Sequence, residues 1–502
     1  MFKKRNQVIV EDTGKVSYAE FSLSKDLTKN IEMMRQIFKN DDTVIFRQFK
    51  NQSNPSIQCY AVFIDGMTDT YIINEHIVKP ITESEIMSPN DIEPKIIWGN
   101  EVTKSSKIDE LVKALLYGDT LIFIDKIDEV IIMNSKGFEV RSITEPDDER
   151  VLRGPREGFT ESIMVNLSLI RRKIQTSDLK FSYQTFGTRT NTKACICYLD
   201  SLVDKRILKD LENRLQQIEQ SRDGYLNDHY IEELIRDSPY SIFKTTGSTE
   251  KPDVVAAKLL EGRIALVMDG TPIVLTVPYL FIENFQSADD YYTSFYYASV
   301  GRLMRLASFI FTVSISAIYV SLVAFHKEMI PTPFLLSIAS ATRGVPFPDI
   351  VEIFILTGMF EVLREAGVRM PNKVGQALSI VGALVIGQSA VEAKIISAPM
   401  VIVVAISGIT GLMVPRLAGA VIVLRLIALM SAAFLGLFGY FFFLIGLTIY
   451  LVQLQSFGVS QTSGFLSSHL QGLKDIYIRA PQKFLNTRPT AIAVDQERSE
   501  EA

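Results

Sequence analysis

The sequence predicts an α/β cytosolic domain of two related lobes, followed by an all-α polytopic membrane domain. Three observations carry this reading: an uneven spread of charge, an internal echo in the first half, and long uncharged apolar runs in the second. The chain has 502 residues, too many for one compact core. Residues 1–300 hold 37 Lys/Arg and 46 Asp/Glu, the remainder 15 and 11, and only 14 of the 147 residues in 306–452 are charged. A polar, acidic region therefore precedes a charge-poor one. The near balance of 52 basic and 57 acidic residues excludes a generally basic nucleic-acid binder. The apolar content of 47% excludes low-complexity disorder. Three cysteines are too few for a disulfide framework. The start, Met-Phe-Lys-Lys-Arg, leads into no apolar run, so no signal peptide is expected and the first 300 residues are placed in the cytosol.

In the soluble region, Ile57–Ile64 and Thr120–Ile124 are β-branched and aromatic runs, each followed by an aspartate (Asp65, Asp125). Ile108, Leu111, Val112, Leu115 and Leu116 recur between them at helical spacing. Leu115-Leu116-Tyr117-Gly118 leads into a strand ending at Asp125, and Leu259-Leu260-Glu261-Gly262 leads into one ending at Asp269, 144 positions later. The strand ending at Asp65 has its counterpart ending at Asp200, 135 positions later. This order predicts two duplicated lobes, 25–145 and 165–285, after a flexible N-terminal segment 1–24. The intervening 146–164 reads as a charged, Pro/Gly-containing linker. Glu145, Pro146, Arg153, Gly154 and Pro155 mark the region, and the two lobes suggest either a binding cleft between them or a rigid double domain whose cleft is merely an interface. A juxtamembrane connector (286–305), a transmembrane domain (306–452) and a C-terminal tail (453–502) complete the chain.

Leu306–Phe325, Val374–Val391, Ile395–Pro415 and Leu426–Val452 are uncharged and read as membrane segments, with Arg302 and Arg305 favouring a cytosolic amino-terminal side. Residues 330–366 are ambiguous, and the number of crossings stays open. The segment from Pro346 to Pro371 carries charge among apolar residues. Pro346, Pro348, Asp349 and Glu352 suit a helix start; Gly367 and Pro371 suit its end. Within it Glu361 pairs with Arg364 at i,i+3 and shares a face with Glu365. A carboxylate at bilayer depth costs at least about 2.5 kcal/mol and needs water or a partner. Asp349, Glu352, Glu361, Arg364 and Glu365 are thus pore or gating candidates, against an interfacial helix whose charges touch water. Ser379, Ala383 and Gly387 form a small-residue stripe for helix packing. Gln388 and Glu392 follow on one face, with pore lining and interhelical hydrogen bonding both open. The sequence has no zinc, phosphate-loop, dinucleotide or nucleophile-elbow motif. Neither enzymatic activity nor a metal or other cofactor is expected.

The strings Pro346-Phe347-Pro348, Glu361-Val362-Leu363-Arg364-Glu365-Ala366-Gly367-Val368-Arg369-Met370-Pro371, Val385-Ile386-Gly387-Gln388 and Ala390-Val391-Glu392-Ala393 resemble the signature of the GerA family of spore germination proteins. Arg153-Gly154-Pro155, Asn166-Leu167, Leu169-Ile170-Arg171, Arg263, and Asp289-Asp290-Tyr291-Tyr292 with Arg302 and Arg305 resemble it too. Gly408-Ile409-Thr410-Gly411 is more glycine-rich than that pattern. The resemblance implies the A subunit of a nutrient germinant receptor, a multi-pass protein of the spore inner membrane. It implies a B-type transporter-like partner that binds germinant, a C-type lipoprotein partner, and a homo-oligomeric ring in membrane lipid around a germinant-gated cation pore. A signalling scaffold, an accessory paralogue and a secondary transporter are the alternatives.

Overall fold

The structure is a computed structural model and describes residues 9–10, 16–86, 88–92, 102–137, 149, 151, 153–219, 228–368, 382, 385–463, 475–485, 488–489 and 492. The first lobe begins with α1 (Leu27–Ile37), whose first amides are capped by the Asp26 carboxylate. β1 (Val44–Lys50) and β2 (Gln58–Ile64) follow, then a helical stretch over 70–83. β3 (Val102–Ser105), α2 (Ile108–Leu116), β4 (Thr120–Ile124) and β5 (Val130–Met133) complete it. The strands form an antiparallel sheet in the order β1-β2-β4-β5-β3.

The second lobe repeats this plan. It runs α3 (Ile163–Lys173), β6 (Leu179–Phe186), β7 (Thr192–Leu199), α4 (Lys205–Glu219), α5 (Asp228–Ile235), β8 (Gly247–Thr249), α6 (Pro252–Leu260), β9 (Ile264–Met268) and β10 (Val274–Val277). Its antiparallel order, β6-β7-β9-β10-β8, has the connectivity of the first sheet. Helices cover both faces of each sheet, so the central strands β4 and β9 are buried at every position and apolar at all but Thr120. Leu121 and Phe123 face α1 and α2, while Ile122 and Ile124 face the 70–83 helical stretch. In β9, Ala265 and Val267 face α3 and α6, and Ile264, Leu266 and Met268 face α4 and α5.

The duplication extends to single hydrogen bonds. Buried Asn30 accepts from the Ser24 amide (2.9 Å) and donates to the Ser24 carbonyl (2.7 Å). Buried Asn166 does the same with Thr160, at 2.7 and 2.6 Å. The glycines ending α2 and α6, Gly118 (φ +101°) and Gly262 (φ +85°), adopt the left-handed conformation a helix stop favours. The strand-end aspartates serve turns and caps: the Asp269 carboxylate accepts from the Ile163 amide that opens α3 (3.1 Å).

Where the lobes meet at Asp41–Thr43 and Lys180–Tyr183 there is a packed seam, as the interface reading expects. Arg171 and Asp41 are fully buried and paired at 2.6 Å, Thr43 bridges them, and the guanidinium lies 4.4 Å from the Phe181 ring centre. The Asp42 amide donates to the Phe181 carbonyl (2.9 Å), and the Asp42 carboxylate accepts from the Tyr183 amide (2.8 Å). Toward the membrane domain, buried Arg263 pairs with Glu283 (2.7 Å), which Lys258 also holds at 2.7 Å. Burial alone would raise the Glu283 carboxyl, but Arg263 and Lys258 hold it below the usual carboxylate range.

The second half contains α7 (Phe295–Val320, continued by Ser321–Phe325), α8 (Thr332–Ala341), α9 (Asp349–Val368), helical residues 385–392, α10 (Ala398–Leu412) and α11 (Ala418–Gln453). Among the described residues, Phe295–Phe325 and Pro415–Gln453 are long and apolar enough to cross a membrane; α8 and α10 are apolar but shorter. Of the expected segment Val374–Val391, residues 374–381, 383 and 384 lie outside the described residues. The run Leu426–Val452 is not the single straight helix its composition predicts. At Gly436 (φ +60°, ψ −141°) α11 reverses, and Gly439 packs against the Ser431 carbonyl. A straight helix would separate those two residues by about 12 Å. The arms 418–435 and 437–453 form an apolar hairpin of about 26 Å per arm. Its tip packs against Phe325 and His326 at the end of α7 distal to the lobes. Both hairpin ends lie at the lobes. Arg416 pairs with Glu149 (2.7 Å), and the Tyr450 hydroxyl accepts from the Ile242 amide (3.0 Å). The tail stays there: Ser456 donates to the Thr245 carbonyl (2.6 Å), and Arg302 pairs with Asp290 (2.9 Å) and Asp475 (2.7 Å).

Replacing Arg171 by Met strands the buried Asp41 carboxylate and is expected to cost about 3–5 kcal/mol, read by denaturation of the purified full-length protein. For Glu283, whose folded pKa is depressed, stability is present above the ordinary carboxyl value of about 4.3 and is lost as pH falls through the lower folded value. The stability advantage of the wild type over Glu283→Gln should therefore shrink below about pH 4, in thermal melts across pH.

Candidate functional site

The charges within the apolar bundle meet at one place. Glu361 on α9 accepts from Arg425, which α11 contributes, and pairs with Arg364 one turn along at 2.9 Å. Arg425 is 3% exposed, and its second nitrogen donates to the Ser407 hydroxyl of α10 (3.2 Å). Ser407 in turn donates to the Thr312 carbonyl of α7 (3.0 Å), and the Thr312 and Thr410 hydroxyls lie 2.8 Å apart. One arginine thus links four helices. Burying a guanidinium in an apolar bundle is costly unless a carboxylate and hydroxyls receive it, and this network supplies both. The glycine-rich turn of α10 has a packing reason: the Phe360 ring lies directly on Gly408, and Gly411 faces Thr312.

The remaining sequence candidates separate into inward and outward groups. Glu352 is buried and accepts from the Ser397 amide at the start of α10, while Asp349 is half-buried at the start of α9. Glu365 lies on the exposed face of α9. Gln388 donates to Glu392 (3.0 Å) on an exposed face of the 385–392 helix. Gly387 is buried against Val401; Ser379 and Ala383 lie outside the described residues. In the linker, Gly154 (φ +130°) packs on the Tyr292 ring, and the Pro155 carbonyl accepts from Lys251 (2.9 Å). Arg153 is exposed, and Glu145 and Pro146 lie outside the described residues. Glu149 joins Arg416 in the turn between α10 and α11 to the Thr249 hydroxyl and Glu250 amide of the second lobe. Sequence reasoning missed Arg416 and Arg425. For Arg425 a signal was present, since it is the one charged residue in 417–452.

The sequence model described as the Bacillus/Clostridium GerA spore germination protein family matches residues 32–491. The chain belongs to this family. It is similar to spore germination protein KA of Bacillus subtilis (strain 168), with 39% identity over 94% of this chain and 87% of that protein. It is also similar to the uncharacterized membrane protein YfkQ of the same organism, with 36% identity over 93% and 91%. A solved structure, the N-terminal domain of the A subunit of the Bacillus megaterium spore germinant receptor GerK3, is 28% identical with a TM-score of 0.39, covering 52% of this chain and 98% of that one. The string 361–371 contains both the acceptor of the buried arginine and its outward-facing neighbour Glu365.

Gly408→Val would drive a side chain into the Phe360 ring and is expected to destabilise the bundle by about 1–3 kcal/mol, with a smaller effect for Gly411→Ala. Thermal denaturation of the detergent-purified protein checks this order, and equal effects at the two positions would contradict it.

Proposed function

We propose that this chain is the A-type subunit of a spore inner-membrane nutrient germinant receptor, and that copies of it assemble into a ring around a germinant-gated cation pore. Family membership supports the receptor role. The observation that carries the pore is the outward-facing pair Gln388 and Glu392 on a helix of the apolar bundle. Against lipid, an outward carboxylate and amide are disfavoured. Repeated around an axis lined with water, they favour cations. Glu361 is paired with Arg425 and Arg364, and buried Glu352 bonds the Ser397 amide through one oxygen, so the pore role passes to the 385–392 face, with Glu365 on α9. The hairpin, whose ends both lie at the lobes, supports an even number of crossings with the tail on the cytosolic side. Arg302, Arg305 and Arg416 at that end agree with the positive-inside trend.

Germinant would bind chiefly to a B-type transporter-like partner, with a C-type lipoprotein completing the receptor, and no cofactor or enzymatic step is invoked. Gating is then a population shift set by the ligand's differential affinity for closed and open states. The Glu149–Arg416 contact favours a route from the lobes to the turn between α10 and α11.

Cells expressing the chain with its B-type and C-type partners should release potassium when the correct amino acid, sugar or nucleoside is added. Glu392→Gln combined with Gln388→Leu should change that release several-fold without loss of assembled receptor. Unchanged release in this variant would move the pore elsewhere. No release from assembled wild-type subunits would favour the scaffold or accessory reading, and solute countertransport the transporter reading.

A further inference from the structure

Glu352 is 1% exposed, yet only one of its oxygens is engaged, by the Ser397 amide. Its other oxygen has no hydrogen-bond partner among the described residues, nor have the buried Ser397 and Tyr319 hydroxyls. These groups belong to one place. Ser397 is bonded to Glu352, and Tyr319 on α7 packs against the apolar cluster that holds Ile353 and Ile396. Val320, Ile353 and Ile396, chain neighbours of all three, pack together in a single cluster.

Among the described residues the charge balance there is incomplete. The bundle's buried arginine is committed to Glu361, as is Arg364. Glu352 has the partial positive charge at the start of α10, about half an elementary charge, and this acts through the oxygen already bonded to Ser397. A full carboxylate charge in apolar surroundings requires more than that. The unused groups are a carboxylate oxygen and two hydroxyl oxygens, hard ligands suited to an alkali cation. A single carboxylate is too little charge for a calcium-type site, which gathers six to eight oxygens with several carboxylates.

We propose that Glu352, Ser397 and Tyr319 form a binding site for one monovalent alkali cation at the end of the bundle distal to the lobes. The cation neutralises Glu352 and ties α7, α9 and the start of α10 together. The site goes beyond the channel reading, because binding is measured without flux and stands or falls separately from it.

The test is thermal unfolding of the detergent-purified full-length protein in potassium or sodium chloride, against N-methylglucamine chloride at equal ionic strength and pH. Potassium or sodium should raise the midpoint saturably. Glu352→Gln, whose amide oxygen can still accept from Ser397, should abolish the rise. Ser397→Ala should weaken the apparent affinity several-fold, and it carries the test if Glu352→Gln does not fold. Wild-type unfolding indifferent to the cation would overturn the proposal, as would an unchanged cation dependence in both variants. Dependence on pH alone would assign the charge balance to a proton and overturn it equally.

Discussion

A buried charge must find its partner inside the protein, and this constraint fixes how the pieces of the molecule sit. Arg171 and Asp41 join the lobes, Arg263 and Glu283 brace the end of the second lobe that faces the membrane domain, and Arg302 and Asp290 anchor the start of α7. Arg425 and Glu361 do the same within the apolar bundle. Apolar contacts in a bilayer discriminate poorly between helix registers, because lipid tails are as apolar as the side chains they replace. A single guanidinium that must reach Glu361 and Ser407 at once leaves far less freedom. The same pairs are costly to break one partner at a time, which makes them specifiers of geometry first and sources of stability second.

The two halves of the molecule are joined by non-covalent contacts as well as by the chain itself. The interlobe segment reaches the membrane domain through Glu149 and Arg416, and the tail returns to the second lobe through Ser456 and to α7 through Asp475. The Gly436 reversal allows this return, because it brings the chain back to the lobes within α11. A displacement of the second lobe would therefore act on the base of the hairpin from both of its ends.

The lobes were legible in the sequence because their signals are local. The helix end, left-handed glycine, apolar strand and aspartate recur at Gly118–Asp125 and Gly262–Asp269, and each is set by neighbours in the chain. The Asn30 and Asn166 bridges repeat too, each spanning six positions. The Glu361–Arg364 pair was legible for the same reason. Pairings across distance were not. Asp41 meets Arg171 130 positions away, and Glu361 meets Arg425 64 positions away, and no periodicity announces either. The hairpin escaped notice because glycine within an apolar run is ordinary in membrane helices. The Gly436 backbone, the Gly439–Ser431 approach and the packing of Phe325 and His326 around Gly436 distinguish it.

The most direct test of a bundle organised by its central charge pair is a double-mutant cycle on Glu361→Gln and Arg425→Met, read as unfolding free energy of the detergent-purified protein. The structure predicts that each single change costs about 3–5 kcal/mol, and that the double costs much less than their sum, with a coupling of at least about 1.5 kcal/mol. Additive losses, or single variants as stable as the wild type, would contradict the pairing.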